Sequence, residues 1–150
     1  MAILKAQRGA QYPLIKEFIF NFGDTAIDSV ALALKSFGSN FNDALIFDGI
    51  SLPIGAVLFG GAIIVETAYV GPTTSTIKLG IAGNDAIYLA PTTLLAAGRT
   101  PILLTTPLGS NGGADIRLTL SHTVANATAG RVRIRFDYTI DNRANEVSAT

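Results

Sequence analysis

The ten residues Arg131 to Ile140, RVRIRFDYTI, alternate without a break. Val132, Ile134, Phe136, Tyr138 and Ile140 fall on one side of an extended chain; Arg131, Arg133, Arg135, Asp137 and Thr139 fall on the other. Successive side chains of a strand point to opposite faces, so this run is a strand with one face in a core. A helical period of 3.6 would scatter the same apolar residues around a cylinder. An isolated strand is not stable in water, so the rest of the chain has to supply a sheet.

Similar patterns recur along the sequence. Ala114 to Ser121 alternates, with Ile116, Leu118 and Leu120 opposite Asp115, Arg117, Thr119 and Ser121. Phe18, Phe20 and Phe22 share one face of Pro13 to Phe22, and Ile77, Leu79 and Ile81 share one face of Ser75 to Ile81. Ala44 to Phe47 reads as a short strand ended by Asp48-Gly49. Ile54 to Phe59 and Ala62 to Val70 flank Gly60-Gly61, which predicts a bulge or sharp bend. Gly83-Asn84-Asp85 turns the chain into Ala86 to Leu89, and Ile102 to Thr106 reads as a further strand. Pro91 to Ala97 is expected to form one helical turn ended by Gly98. The stretch from Asp24 admits two readings. Asp24 could cap a helix with Ile27, Val30, Ala31 and Leu34 on one face; we favour a strand over the later half, where Val30, Leu32 and Leu34 alternate.

Eight to ten short strands result, with fifteen glycines and six prolines in the chain to turn them. Strands at this spacing without intervening helices indicate an antiparallel sandwich or barrel. We read residues 13–150 as one antiparallel β-sandwich domain of jelly-roll type. No linker or internal repeat divides the 150 residues of the chain. Residues 1–12 have no clean period and carry Lys5, Arg8 and Tyr12 with no acid. They read either as a frayed terminus or as an extended arm that pairs with a neighbouring subunit.

Charge narrows the function classes. Eleven Lys and Arg balance eleven Asp and Glu, whereas a nucleic-acid binder normally carries a basic excess. Only 15% of residues are charged and 49% are apolar. This argues against disorder and suggests a surface covered in part by another chain. The start of the chain lacks the pattern of a signal peptide, and the apolar stretch from Ile50 to Val65 is broken by Pro53, Gly55, Gly60 and Gly61. Neither a membrane partner nor export is expected, and synthesis is assigned to the cytoplasm of the producing cell.

Little in the sequence points to catalysis. No cysteine is present, which removes thiolate nucleophiles, disulfides and Cys-ligated metals. His122 is the single histidine. It is in phase with Ile116, Leu118 and Leu120 and is read as a satisfied strand-end histidine rather than a catalytic base. Metal ligation is not expected from one histidine, and no Ca²⁺ loop, phosphate loop or nucleotide fingerprint is present. No cofactor is therefore expected. Most acids sit in turns, where they serve turn geometry.

Charged strand positions are the remaining candidates. Arg131, Arg133 and Arg135 occupy alternate positions of one strand, and Arg117 on the preceding strand is expected to share their face. Like charges in register repel unless partnered. The stripe is either a solvated face, with Asp115, Asp137 and Glu66 as counterions, or a contact with another subunit or a partner protein. Glu66, inside the apolar run IIVETAY, is either an outward strand residue or a partner for an arginine across the sheet or across a subunit boundary.

The segment from Leu52 carries Leu-Pro-x-Gly-Ala-Val at 52–57, Gly60-Gly61, a Val/Ile-rich strand with an acid and Thr-Ala-aromatic at 63–69, a Gly-Pro-Thr-Thr turn at 71–74, and Ala-Gly-Asn-Asp leading to Tyr-Leu at 82–89. In these patterns it resembles small structural proteins of tailed bacteriophages. The ending, Ala129 to Ile140 followed by Asp141 to Asn145, fits as well. The likeness covers about residues 50–145 and consists of turn and strand patterns. It implies a non-enzymatic β-sandwich of the virion, a head decoration (cement) protein that forms a homotrimer and binds the major capsid protein on the head surface. A tail or host-recognition module is the alternative, with a carbohydrate site marked by exposed loop aromatics; Phe37, Phe41 and Tyr88 are the candidates, although a core role is the favoured reading for them. A carboxylate-based hydrolase would need two converging acids, and the sequence offers no such pair.

Overall fold

The structure, a computed structural model, describes residues 13–40, 44–102, 104 and 115–140. Its strands are β1 (Leu14–Asn21), β2 (Thr25–Ile27), β3 (Leu34–Ser36), β4 (Leu45–Ile50), β5 (Ala56–Val70), β6 (Thr74–Ile81), β7 (Asn84–Thr93), β8 (Gly98–Pro101), β9 (Ile116–Thr123) and β10 (Ala129–Ile140). One sheet has the order β1-β10-β5-β8 and the other β4-β9-β6-β7, with β2 and β3 forming a separate hairpin. All pairings are antiparallel. Leaving the hairpin aside, the first strand pairs with the eighth, the second with the seventh, the third with the sixth and the fourth with the fifth. That winding is a jelly roll.

The alternating sequences explain the two layers. Every inward residue of β10 from Val132 to Tyr138 is buried, and every outward residue between them is half-exposed. Phe20, Ile63, Ile134 and Phe136 from one sheet face Leu45, Ile77, Leu79, Leu118 and Leu120 from the other, all 0–1% exposed. Each such side chain contributes roughly 1.5–3 kcal/mol relative to leaving it in water. At the edge shared by β1 and β4, Phe18 stacks on Phe47 at 5.4 Å and Phe20 on Phe37 at 4.5 Å. These rings close that end of the core.

The glycine pair at 60–61 acts as the sequence implied. β5 is one strand of 15 residues, but its register against β10 slips between Leu58 and Gly60, leaving Phe59 as the extra residue. Gly61 has φ +154°, and a Cβ there would collide with the Arg135 carbonyl.

Several local expectations need correction. No helix forms after Asp24, and Ser29 to Ala31 is a turn, with the strand confined to Leu34–Ser36. The Asp28 carboxylate accepts the N–H groups of Val30 and Ala31 at 2.8 and 2.7 Å, an alternative to both helix and ladder bonds. Asp48-Gly49 lies inside β4 as a register slip rather than ending it. Pro91 continues β7 instead of starting a helical turn. β7 is a sheet-edge strand, where the missing proline N–H is tolerated. The expected strand at 102–106 begins earlier, at Gly98, and Ile102 and Leu104 lie beyond its end. The β6–β7 turn falls on Ala82-Gly83, with Gly83 at φ +91°. The arm expected over residues 1–12, with Lys5, Arg8 and Tyr12, lies outside the described residues.

Candidate interaction surface

Three strands build a charged ladder on the outer face of the β1-β10-β5 sheet. The period of two turns Arg131, Arg133 and Arg135 outward along β10. A second register slip of β5 places Thr67 opposite Arg131 and Val65 opposite Val132, so Glu66 is the extra residue between them. Its carboxylate reaches two arginines at once: Arg131 Nε donates to Oε2 at 2.6 Å and Arg133 Nε to Oε1 at 2.8 Å. From β1, Asn21 Oδ1 accepts from Arg131 at 3.1 Å and Glu17 Oε2 from Arg133 at 3.3 Å. Arg135 donates to Asp137 on its own strand at 3.1 Å.

The stripe is therefore partnered within the chain. Three arginines meet Glu17, Glu66 and Asp137, so the charges of these six side chains balance. Hydrogen bonds from Arg131 and Arg133 hold the Glu66 carboxyl below the usual carboxylate range, and Glu66 in turn raises the Arg133 guanidinium. Both readings of Glu66 meet here: it faces outward, and it pairs across the sheet.

Arg117 does not join this face. It lies on β9 in the opposite sheet, where Nε and a terminal nitrogen grip both Asp48 oxygens at 2.7 Å each. That fork binds β9 to the edge strand β4, and the Asp48 bond raises the Arg117 guanidinium.

His122 is 1% exposed and stacks on Tyr69 at 5.0 Å. Its Nε2 donates to the Phe37 carbonyl at 2.7 Å, which leaves Nδ1 to accept the Ser75 hydroxyl at 2.9 Å. Burial pushes the imidazole down, against the upward pull of the Phe37 bond. Ser75 and His122 make a serine–histidine pair, but both are buried and the third position is a carbonyl rather than a carboxylate. The pair ties the end of the β2–β3 hairpin to the roll. Phe37 and Tyr88, offered as loop aromatics, are buried as well; Phe41 lies outside the described residues.

Sequence reasoning missed an apolar surface on the hairpin. Ile27, Val30, Leu32 and Leu34 are all exposed there. Beside it, a cleft of about 450 Å³ opens between β1 and β2, floored by Phe18, Phe20, Phe37 and Phe47. The signal was the charge-free run Ser29 to Leu34, SVALAL, whose alternation reads as a strand. Among the described residues no group of three His, Asp or Glu side chains is placed to hold a metal ion.

The architecture so defined is an eight-stranded jelly roll with an inserted hairpin, offering surfaces for contact. No family model matches the sequence, and no curated protein matches it. Among solved structures it is similar to a chain of the cyanophage Pam1 capsid asymmetric unit, at 20% identity and a TM-score of 0.52. The match covers 93% of this chain and 92% of the other, so the likeness in fold extends over both nearly end to end.

Proposed function

We propose that this chain is a non-enzymatic structural protein of a tailed-phage virion, a head decoration (cement) protein that binds and stabilises the assembled capsid. The observation that carries the reading is the near end-to-end likeness in fold to a chain of a phage capsid asymmetric unit. The phage-like turn and strand patterns of residues 50–145 support it independently. In this reading the partners are the major capsid protein and further copies of the chain as a homotrimer, and the protein sits on the head surface after synthesis in the host cytoplasm.

A cement protein acts through binding area. Specific interfaces bury about 1,600 Å² in total. A ligand that binds only the assembled shell stabilises it by mass action. The arginine ladder suits such a contact. Its charges are already paired, so a docking surface covers it without stranding an unpartnered ion. Residues 1–12, with Lys5, Arg8 and Tyr12, serve as an arm that adds an extended segment to a neighbour. The buried positions of Phe37 and Tyr88 give a carbohydrate-binding tail module no support.

Pelleting with undecorated heads tests the reading. The full chain is expected to co-sediment at saturable stoichiometry. A chain lacking residues 1–12 is expected to keep its β circular dichroism and cooperative unfolding but to remain in the supernatant. Undiminished pelleting of the truncated chain removes the arm's role. Failure of the full chain to pellet removes the decoration role.

A further inference from the structure

β4 is the outermost strand of its sheet, and among the described residues its one strand partner is β9. An open strand edge presents a row of unpaired N–H and C=O groups, a template on which another chain can add a strand. The run along this edge, Ala44 to Phe47, is uncharged and rich in strand-forming side chains, which sharpens the hazard. In an antiparallel strand a residue turns its N–H and C=O to the same side, and alternate residues face alternate sides. On the side of β4 away from β9 these groups belong to Ala44, Ile46 and Asp48.

Four of them in a row are taken, and none by a strand. Lys35 Nζ donates to the Ala44 carbonyl at 3.2 Å. The Ile46 N–H donates to Asp28 Oδ2 at 3.0 Å, and the Ile46 carbonyl accepts the Ser29 N–H at 2.8 Å. The Asp48 N–H donates to the Ser29 hydroxyl at 2.9 Å. The pieces of this cover are themselves fixed. Asp28 is 1% exposed, its Oδ1 accepts the N–H groups of Val30 and Ala31 at 2.8 and 2.7 Å, and its Oδ2 meets Lys35 at 3.1 Å. Below it the Asp28 N–H donates to the Ala33 carbonyl and the Leu32 N–H to the Asp28 carbonyl, both at 2.9 Å. We propose that Asp28, Ser29 and Lys35 form an autoinhibitory seal, a side-chain substitute for a missing strand, that keeps the β4 edge from pairing with the β4 edge of a second copy. The pairing it prevents is isologous: two identical edges run antiparallel about a two-fold axis, each supplying the donors and acceptors the other needs. The inference stands apart from the decoration role, since it concerns what the purified chain does with itself.

Asp28→Asn opens the seal at its centre. An amide has one acceptor oxygen where the carboxylate has two, so a side chain that still serves Val30 and Ala31 turns an NH₂ donor toward the Ile46 N–H. With rising concentration this variant is expected to form species heavier than the unaltered protein in light scattering, together with an intermolecular β band in the infrared. Ser29→Ala combined with Lys35→Met uncovers the Asp48 N–H and the Ala44 carbonyl while leaving Asp28 in place. It is expected to associate in the same way, and it decides the matter if Asp28→Asn loses its circular dichroism. Ile46→Pro, added to either variant, removes the donor at the middle of the edge on the side where no β9 bond is lost, a place where proline is tolerated. It is expected to return the mass to that of the unaltered protein. Folded variants that keep the unaltered mass at every concentration overturn the proposal. Association that survives Ile46→Pro also overturns it and assigns the contact to another surface. Head binding enters none of these readouts, so a chain that never binds heads removes the decoration reading and leaves the seal standing.

Discussion

Asp28 and His122 are both buried, and their environments work in opposite ways. Burial by itself would push the Asp28 carboxyl up, but the N–H groups of Ala31, Ile46 and Val30 and the Lys35 ammonium outweigh it and bring the pKa to about 2. An unfolded aspartate titrates near 4, so folding favours the ionised form above that pH. This contributes about 2 kcal/mol that is lost as pH falls from about 4 to about 2. For His122 burial disfavours the charged form, so the folded pKa lies below the unfolded value near 6.5. Below that pH the unfolded chain takes up a proton that the folded one resists, and stability falls. Denaturant unfolding between pH 8 and pH 3 is therefore expected to show two acid losses, the first beginning just below 6.5. In His122→Gln the first loss is expected to vanish; its persistence would assign it to another group.

Among the elements, Phe59 and Glu66 are the extra residues at two of the three register shifts between β5 and β10, and Gly61 lies two residues beyond the first of them. Gly61→Ala forces a Cβ into the Arg135 carbonyl and is expected to cost about 3 kcal/mol in urea unfolding. Gly23→Ala, with open space around it, is expected to stay within about 0.5 kcal/mol. Glu66→Gln removes the carboxylate between Arg131 and Arg133. It is expected to lower the thermal midpoint, by less in high salt, where the repulsion left behind is screened; a salt-independent deficit would locate the effect in packing. Strands buried on one face, such as β9 and β10, were legible because burial imposes the period of two. β2, β3 and the turn between them were not, because one side chain, Asp28, sets their geometry through bonds to Ile46, which lies beyond the hairpin on β4. The arginine stripe was visible in the sequence, whereas its pairing with Glu66 depended on a bulge. Arg117 was misplaced for a topological reason. β9 and β10 are consecutive in the chain, but in a jelly roll they belong to opposite sheets.

For the whole molecule, the winding brings the first and last strands together, so β1 and β10 share the outer face that carries the ladder. The hairpin, inserted between the first two strands of the roll, projects from the opposite edge of that sheet to β8. A sandwich with a paired arginine ladder on one face and exposed apolar side chains on its hairpin suits a protein whose work is contact. If that contact is with an assembled capsid, the shell itself must gain stability. Calorimetry of undecorated heads, titrated with the purified protein, measures this directly. The account expects the melting temperature of the heads to rise with added protein and to level off once the sites are filled. Heads that melt at the same temperature throughout the titration would contradict it.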